Sequence, residues 1–173
     1  MDLTLTRQNG ILINLNLRAE KHGDKNVTGA DLSVSVTLSN DYLAEFHPTL
    51  KAAFYRAPHP SEMDLAEQAD SENPALTRLV FGSKIEGLSW RQEITGAHFT
   101  VHFGTGGKSD IKLPDVVADS FKLTFLDGGS VKITFRIKCL PDEKQIGKLS
   151  LLIGNEIEFS LVPPEAPEMA DAA

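Results

Sequence analysis

The feature that most constrains this chain is a period-two alternation of apolar and polar residues that returns again and again along it. Successive side chains of a strand point to opposite faces, so such a pattern gives each strand one greasy and one wet side. Ile11, Ile13, Leu15 and Leu17 alternate with Leu12, Asn14, Asn16 and Arg18, which predicts a strand over residues 10–19. The turn-rich stretch Glu20-Lys21-His22-Gly23-Asp24-Lys25-Asn26 follows, and Leu32, Val34, Val36 and Leu38 then repeat the pattern, so the two runs read as a long hairpin. Leu76 to Phe81 and Ile85 to Trp90 carry strand signals, and Ala97, Phe99, Val101 and Phe103 alternate with His98, Thr100 and His102. After the Gly-rich turn Gly104-Thr105-Gly106-Gly107 come Ile111 and Leu113. Phe121, Leu123 and Phe125 are joined to Val131, Ile133, Phe135, Ile137 and Cys139 through Asp127-Gly128-Gly129, whose glycines supply the positive φ angles a short hairpin needs. A final run covers Glu156 to Val162. About eight strands with short turns predict a mainly β protein, an antiparallel β-sandwich or jelly-roll-like barrel; long helices between the strands, which a parallel sheet requires, are missing from the pattern.

Two segments break the rhythm with helical spacing. Tyr42, Leu43, Phe46, Leu50, Ala53 and Phe54 share one side of a 3.6-residue repeat, Ser39 or Asn40 can cap its start, and Pro48 should divide it into two short pieces. A short late helix is expected over Glu143 to Ile153. Residues 57–75 hold Glu62, Asp64, Glu67, Asp70 and Glu72, three prolines and no Lys or Arg, which reads as an acidic surface excursion with a helical turn after Ser61. The expected organisation is one β-rich domain over residues 1–162 and a disordered acidic tail over 163–173.

A length of 173 residues suffices for one core, and 41% apolar residues can fill it. The formal charge is −7, from 24 acidic and 17 basic side chains, which argues against a surface built wholly to hold nucleic acid. The excursion and the tail carry eight of the acids and no bases, leaving a near-neutral body of 16 acids and 17 bases. No run approaches the ~18 apolar residues of a membrane span, and Met1 to Arg7 lacks the pattern of a signal peptide, so a cytoplasmic protein with no membrane partner is expected. Cys139 is the single cysteine, which excludes an intrachain disulfide; ending an apolar row, it reads as a buried thiol.

The polar face of the 120–138 hairpin is basic: Lys122, Lys132, Arg136 and Lys138 project opposite the apolar row. Such a strip can follow a phosphate backbone, or it can simply keep a sheet face solvated. Phe121, Phe125 and Phe135 fall on the buried parity, so a stacking platform for bases would have to come from Trp90, Tyr42 or Tyr55. Phe103-Gly104-Thr105-Gly106-Gly107-Lys108-Ser109 superficially suggests a phosphate loop, but His102 stands where the first glycine belongs and a strand follows instead of a helix, so it reads as a hairpin turn. His98 and His102 share a strand face at ~13 Å, four residues of ~3.3 Å each, too far apart to hold one metal ion. No coherent catalytic set, metal set or cofactor motif emerges.

His22-Gly23-Asp24, Ser39-Asn40-Asp41, Gly107-Lys108-Ser109-Asp110, Gly128-Gly129-Ser130-Val131 with Phe135-Arg136, Pro141-Asp142-Glu143 and Ser160-Leu161-Val162-Pro163-Pro164 run through most of the chain. With these segments the sequence resembles small proteins of unassigned role encoded by tailed bacteriophages of Gram-negative bacteria. The resemblance implies a phage origin and expression in the bacterial cytoplasm, and it brings no catalytic residues. The expectation is a non-enzymatic, cofactor-free binding protein that engages a host or phage protein of nucleic-acid metabolism or defence, as an inhibitor, through Glu62, Asp64, Glu67, Asp70 and Glu72. The alternative is single-stranded DNA binding through Lys122, Lys132, Arg136 and Lys138. A third expectation is virion decoration.

Overall fold

The computed structural model describes residues 3–63, 74–103 and 107–165. Among the described residues nine strands form in chain order: β1 (Leu5–His22), β2 (Lys25–Ser39), β3 (Tyr55–Arg56), β4 (Arg78–Leu79), β5 (Gly87–Trp90), β6 (Ile94–His102), β7 (Ile111–Leu126), β8 (Ser130–Cys139) and β9 (Glu156–Val162). Six of them close into an antiparallel barrel in the order β7-β6-β9-β1-β2-β8, the circle completed by pairing of β8 with β7. β5 pairs with the outer half of β7, ahead of β6 on the same edge. The protein is thus mainly β, and the barrel expectation is met in this coarse form.

The barrel interior is filled by side chains. Phe99 lies 5.5 Å from Phe159, Phe159 lies 6.0 Å from Phe135, and Phe135 stacks on Phe121 at 5.7 Å between ring centres. Leu12, Leu32, Val34, Val101, Ile133 and Leu161 pack among these rings. Rings and branched side chains from facing strands occupy the space that a larger barrel would leave for a ligand.

Two stretches depart from the alternation in instructive ways. Ile11, Ile13, Leu15 and Leu17 were expected to form one buried row; instead Leu5 and Leu12 are buried while Ile11 is 47% and Ile13 44% exposed. A β-bulge between Leu12 and Asn14 is the cause, because one extra residue exchanges the inward and outward faces beyond it. After the bulge Leu15 pairs with Leu32 and is partly buried, while Leu17, opposite Ala30, is 53% exposed. The expected loop at 20–26 shrinks to the two-residue turn Gly23-Asp24, with Gly23 at φ 62°. Residues 111–113 and 121–125, which read as separate strands, belong to one 16-residue strand. Asp115 at φ 52° and Ser120 at φ 55° sit at its register shifts and bend it from one pairing set to the next.

The helical expectations hold more closely. A 3₁₀ turn over Asn40–Glu45 and helix α1 (Leu50–Phe54) flank Pro48, and Ser39 Oγ accepts the Asp41 N–H as a cap. Leu43, Phe46 and Leu50 from these pieces are buried against the barrel, where Phe46 meets Phe121 edge-on at 5.7 Å. Helix α2 (Glu143–Ser150) starts with a reciprocal cap between Asp142 and Gln145 and buries Leu149. The strand expected at Leu76 to Phe81 reduces to β4, which forms with β3 a two-residue ribbon that is not paired with the barrel sheet. A second aromatic, Tyr55, ties that ribbon to the β7–β8 turn: its hydroxyl accepts the Leu126 N–H at 3.1 Å and donates to the Ser130 carbonyl.

Candidate functional site

The barrel interior is packed, and the grooves described below lie on its outer surface. One groove of about 600 Å³ lies where the β3–β4 ribbon meets the start of the acidic excursion, with Arg56, Glu62, Arg78, Leu79, Glu86 and Asp127 along its walls. Arg56 grips Glu62 with both terminal nitrogens, at 2.8 and 2.9 Å, and the His59 N–H adds a third bond at 2.7 Å. These donors, the Arg56 guanidinium first, hold the Glu62 carboxyl down to about 2. Beside the groove Val80 is 42% and Phe81 46% exposed, and Phe81 meets Phe54 at 6.0 Å. Of the five acids expected to engage a partner, Glu62 therefore belongs to a latch at the root of the excursion. Asp64, Glu67, Asp70 and Glu72 lie outside the described residues.

The four bases of the 120–138 hairpin do share the outer face, since their neighbours Phe121, Leu123, Ile133 and Ile137 are buried. They are not equivalent. Arg136 Nε and a terminal nitrogen donate to Asp119 at 2.8 and 3.0 Å, and Lys138 Nζ lies 2.7 Å from the same carboxylate. Burial pushes the Asp119 carboxyl up, but hydrogen bonds from Arg136, Lys138 and Ser120 outweigh it and hold it at about 2. Lys122 sits 3.7 Å from Glu86, and Lys132 borders a shallow groove of about 310 Å³ that also holds Glu156. The expected strip is therefore partly neutralised by the protein's own carboxylates. Trp90 and Arg91 line a further groove of about 460 Å³ that opens on Asp119. Trp90 donates through Nε1 to Gln92 at 2.8 Å and packs edge-on against Phe46 at 6.1 Å.

A third constellation was not visible from the sequence. Where β6 and β9 pair, Thr100 stands opposite Ser160 and His102 opposite Glu158, all on the outer face. The His102 ring spans Ser160 and Asp110, with Nε2 2.7 Å from Ser160 Oγ and Nδ1 3.3 Å from Asp110 Oδ2. Asp110 also accepts the Phe103 N–H at 3.0 Å and the Gly107 N–H at 3.3 Å. These bonds, the Phe103 amide first and then His102, keep its carboxyl below the usual range in spite of desolvation. Arg7, at φ 46° where β1 shifts register against β9, directs its own N–H to Ser160 Oγ at 3.0 Å. His98, paired with Val162, takes no part. The hairpin pairing Val101 with Ile111 puts His102 and Asp110 in the next register step, which was the one clue available in the sequence; Ser160 lies 58 residues away and needs the β6–β9 pairing.

Cys139 is buried, its thiol pushed up to about 12 chiefly by burial, with Sγ 3.7 Å from the Ala30 carbonyl. Among the described residues no group of three His, Cys, Asp or Glu side chains could hold a metal ion, and no helix is long and apolar enough to cross a membrane.

The class that fold and surface together define is a closed, side-chain-filled antiparallel barrel with grooves on its exterior. Neither protein-family models, nor curated proteins, nor solved structures give a match to this chain.

Proposed function

We propose that this chain is a phage-type binding protein of the bacterial cytoplasm that occupies a surface of a host or phage protein, one of nucleic-acid metabolism or defence, and acts without turning over a substrate. The observation that carries the reading is the groove at the root of the acidic excursion, on a barrel whose interior is closed to ligands. The latched Arg56–Glu62 pair fixes the chain beside the groove at the residue where the acidic stretch begins. Partially exposed Phe81 and Val80 supply apolar contact next to that charge. A basic partner surface complements such a site, and the charge speeds encounter more than it tightens the complex. The test is affinity purification from expressing cells, with and without nuclease, comparing the native chain with one in which Asp64, Glu67, Asp70 and Glu72 are changed to Asn or Gln. A nuclease-resistant partner lost on neutralisation supports the reading; an identical set of partners for both chains sinks it.

A second reading, single-stranded DNA binding, is favoured by one observation: Trp90 and Arg91 border the groove that opens on Asp119, beside Arg136 and Lys138. An aromatic face next to bases suits a stacked nucleotide. Gel retardation at low salt that fades as salt rises, and that Trp90→Ala abolishes, would favour it. A jelly-roll-like role in virion decoration is the third outcome, read from co-purification with particles.

A further inference from the structure

Ser160, His102 and Asp110 form a polarised chain whose direction follows from donor and acceptor chemistry. The ionised Asp110 carboxylate can only accept, so the His102 nitrogen facing it, Nδ1, carries the proton. In the neutral ring Nε2 is then an acceptor, and the only hydrogen that can lie along the 2.7 Å contact is the Ser160 hydroxyl proton. Ser160 Oγ keeps lone pairs, one of which receives the Arg7 N–H. A hydroxyl donating to an imidazole that is itself oriented by a carboxylate is the arrangement that activates serine for attack, and it is recognised by roles and geometry, not by position in the chain.

We infer that Ser160 is a nucleophile that accepts an acyl group from small activated carboxylic esters, with His102 as its base and Asp110 as the residue that positions His102. The site lies on β6 and β9, away from the groove at the excursion, and is independent of the partner-binding reading. Ser160 Oγ attacks the ester carbonyl carbon while its proton passes to His102 Nε2. The tetrahedral intermediate collapses, the bond to the leaving oxygen breaks, and that oxygen takes the proton from His102. The products are an ester on Ser160 and a free alcohol, with no change of oxidation state. The Arg7 N–H, donating to Oγ at 3.0 Å, holds the hydroxyl so that its proton points along the contact to His102 Nε2. Its aim depends on a left-handed backbone at a non-glycine residue, a conformation that persists where the surroundings enforce it. Ser160 is 9% exposed and the His102 side chain 12%, so only the smallest acyl groups belong to the substrate class.

The experiment treats the full chain with p-nitrophenyl acetate, follows p-nitrophenolate release, and maps the acetylated peptide by mass spectrometry. The expected result is one acetyl group on Ser160, formed at a rate that rises with pH through a single ionisation, because a protonated imidazole cannot take the proton. Ser160→Ala removes the label, and His102→Gln slows it by about 100-fold. Asp110→Asn both slows it and moves the pH midpoint, which a merely structural aspartate would not do. Acetylation confined to lysines, or a Ser160 rate unchanged by His102→Gln, overturns the inference. Should the variants unfold, the native chain decides alone: an unlabelled Ser160 across about pH 5 to 9, where histidine changes charge, rejects it.

Discussion

The outer faces of β7–β8 and of β6–β9 each centre on one shielded aspartate, yet the two aspartates do different things. Asp119 is surrounded by cations, Arg136 and Lys138, and every bond it accepts from them is charge-assisted. Asp110 is held by two backbone N–H groups and a histidine ring. The first arrangement consumes its charge in holding two strands together, because Asp119 lies on β7 and its partners on β8. The second, in the turn before β7, passes its influence onward through a ring on β6 to a hydroxyl on β9. A carboxylate beside permanent cations makes a fastening, whereas one beside an imidazole makes a device that can hand on a proton.

The largest test of that contrast is Asp119→Ala. Removing the carboxylate strips Arg136 and Lys138 of their shared acceptor and should cost ~2 kcal/mol of unfolding free energy, read from urea denaturation. Next comes pH. Asp119 titrates at about 2 in the folded protein, below the usual ~3.9 of the unfolded chain, so its contribution is complete above about pH 4 and disappears as the pH falls toward 2. Thermal unfolding between pH 5 and about 2 should therefore lose less stability in Asp119→Asn than in the native chain. Ser160→Ala, which gives up the bonds to His102 and the Arg7 N–H, should cost about 1 kcal/mol, leave the pH 2 to 4 behaviour untouched, and speed amide exchange at Arg7. The smallest effect belongs to Lys132→Ser. Among the described residues Lys132 makes no ion pair, and stability should stay within about 0.5 kcal/mol. If Lys132→Ser matched Asp119→Ala, the fastening role of Asp119 would lose its distinction.

Local chemistry makes some elements readable in the sequence itself. Asp127-Gly128-Gly129 announced the β7–β8 hairpin, where both glycines adopt positive φ, and the alternation fixed Glu156–Val162 as a strand. Ser39 and Pro48 bounded the two short helical pieces because caps and prolines act within one turn. What stayed hidden depended on pairing between distant segments. The bulge after Leu12 is invisible in a run of leucines and isoleucines that alternates smoothly, and it is set by the fit of β1 against β2. Asp119 beside Arg136, and Ser160 beside His102, each need the register of two strands. Their identity as partners is therefore a property of the barrel. The basic strip was legible as a face, but its partial neutralisation by Asp119 and Glu86 was not.

Strand β9 sits between β1 and β6, joined to both, yet it follows the other eight described strands in sequence. A ribosome making this protein therefore releases all the other staves before the one that seals the cylinder. Until residue 162 emerges, β1 and β6 each present a bare, hydrogen-bond-hungry margin, the kind of margin that recruits neighbouring chains. Premature termination upstream of Glu156 should accordingly yield insoluble material, and chaperone demand during synthesis should peak just before the seal is made.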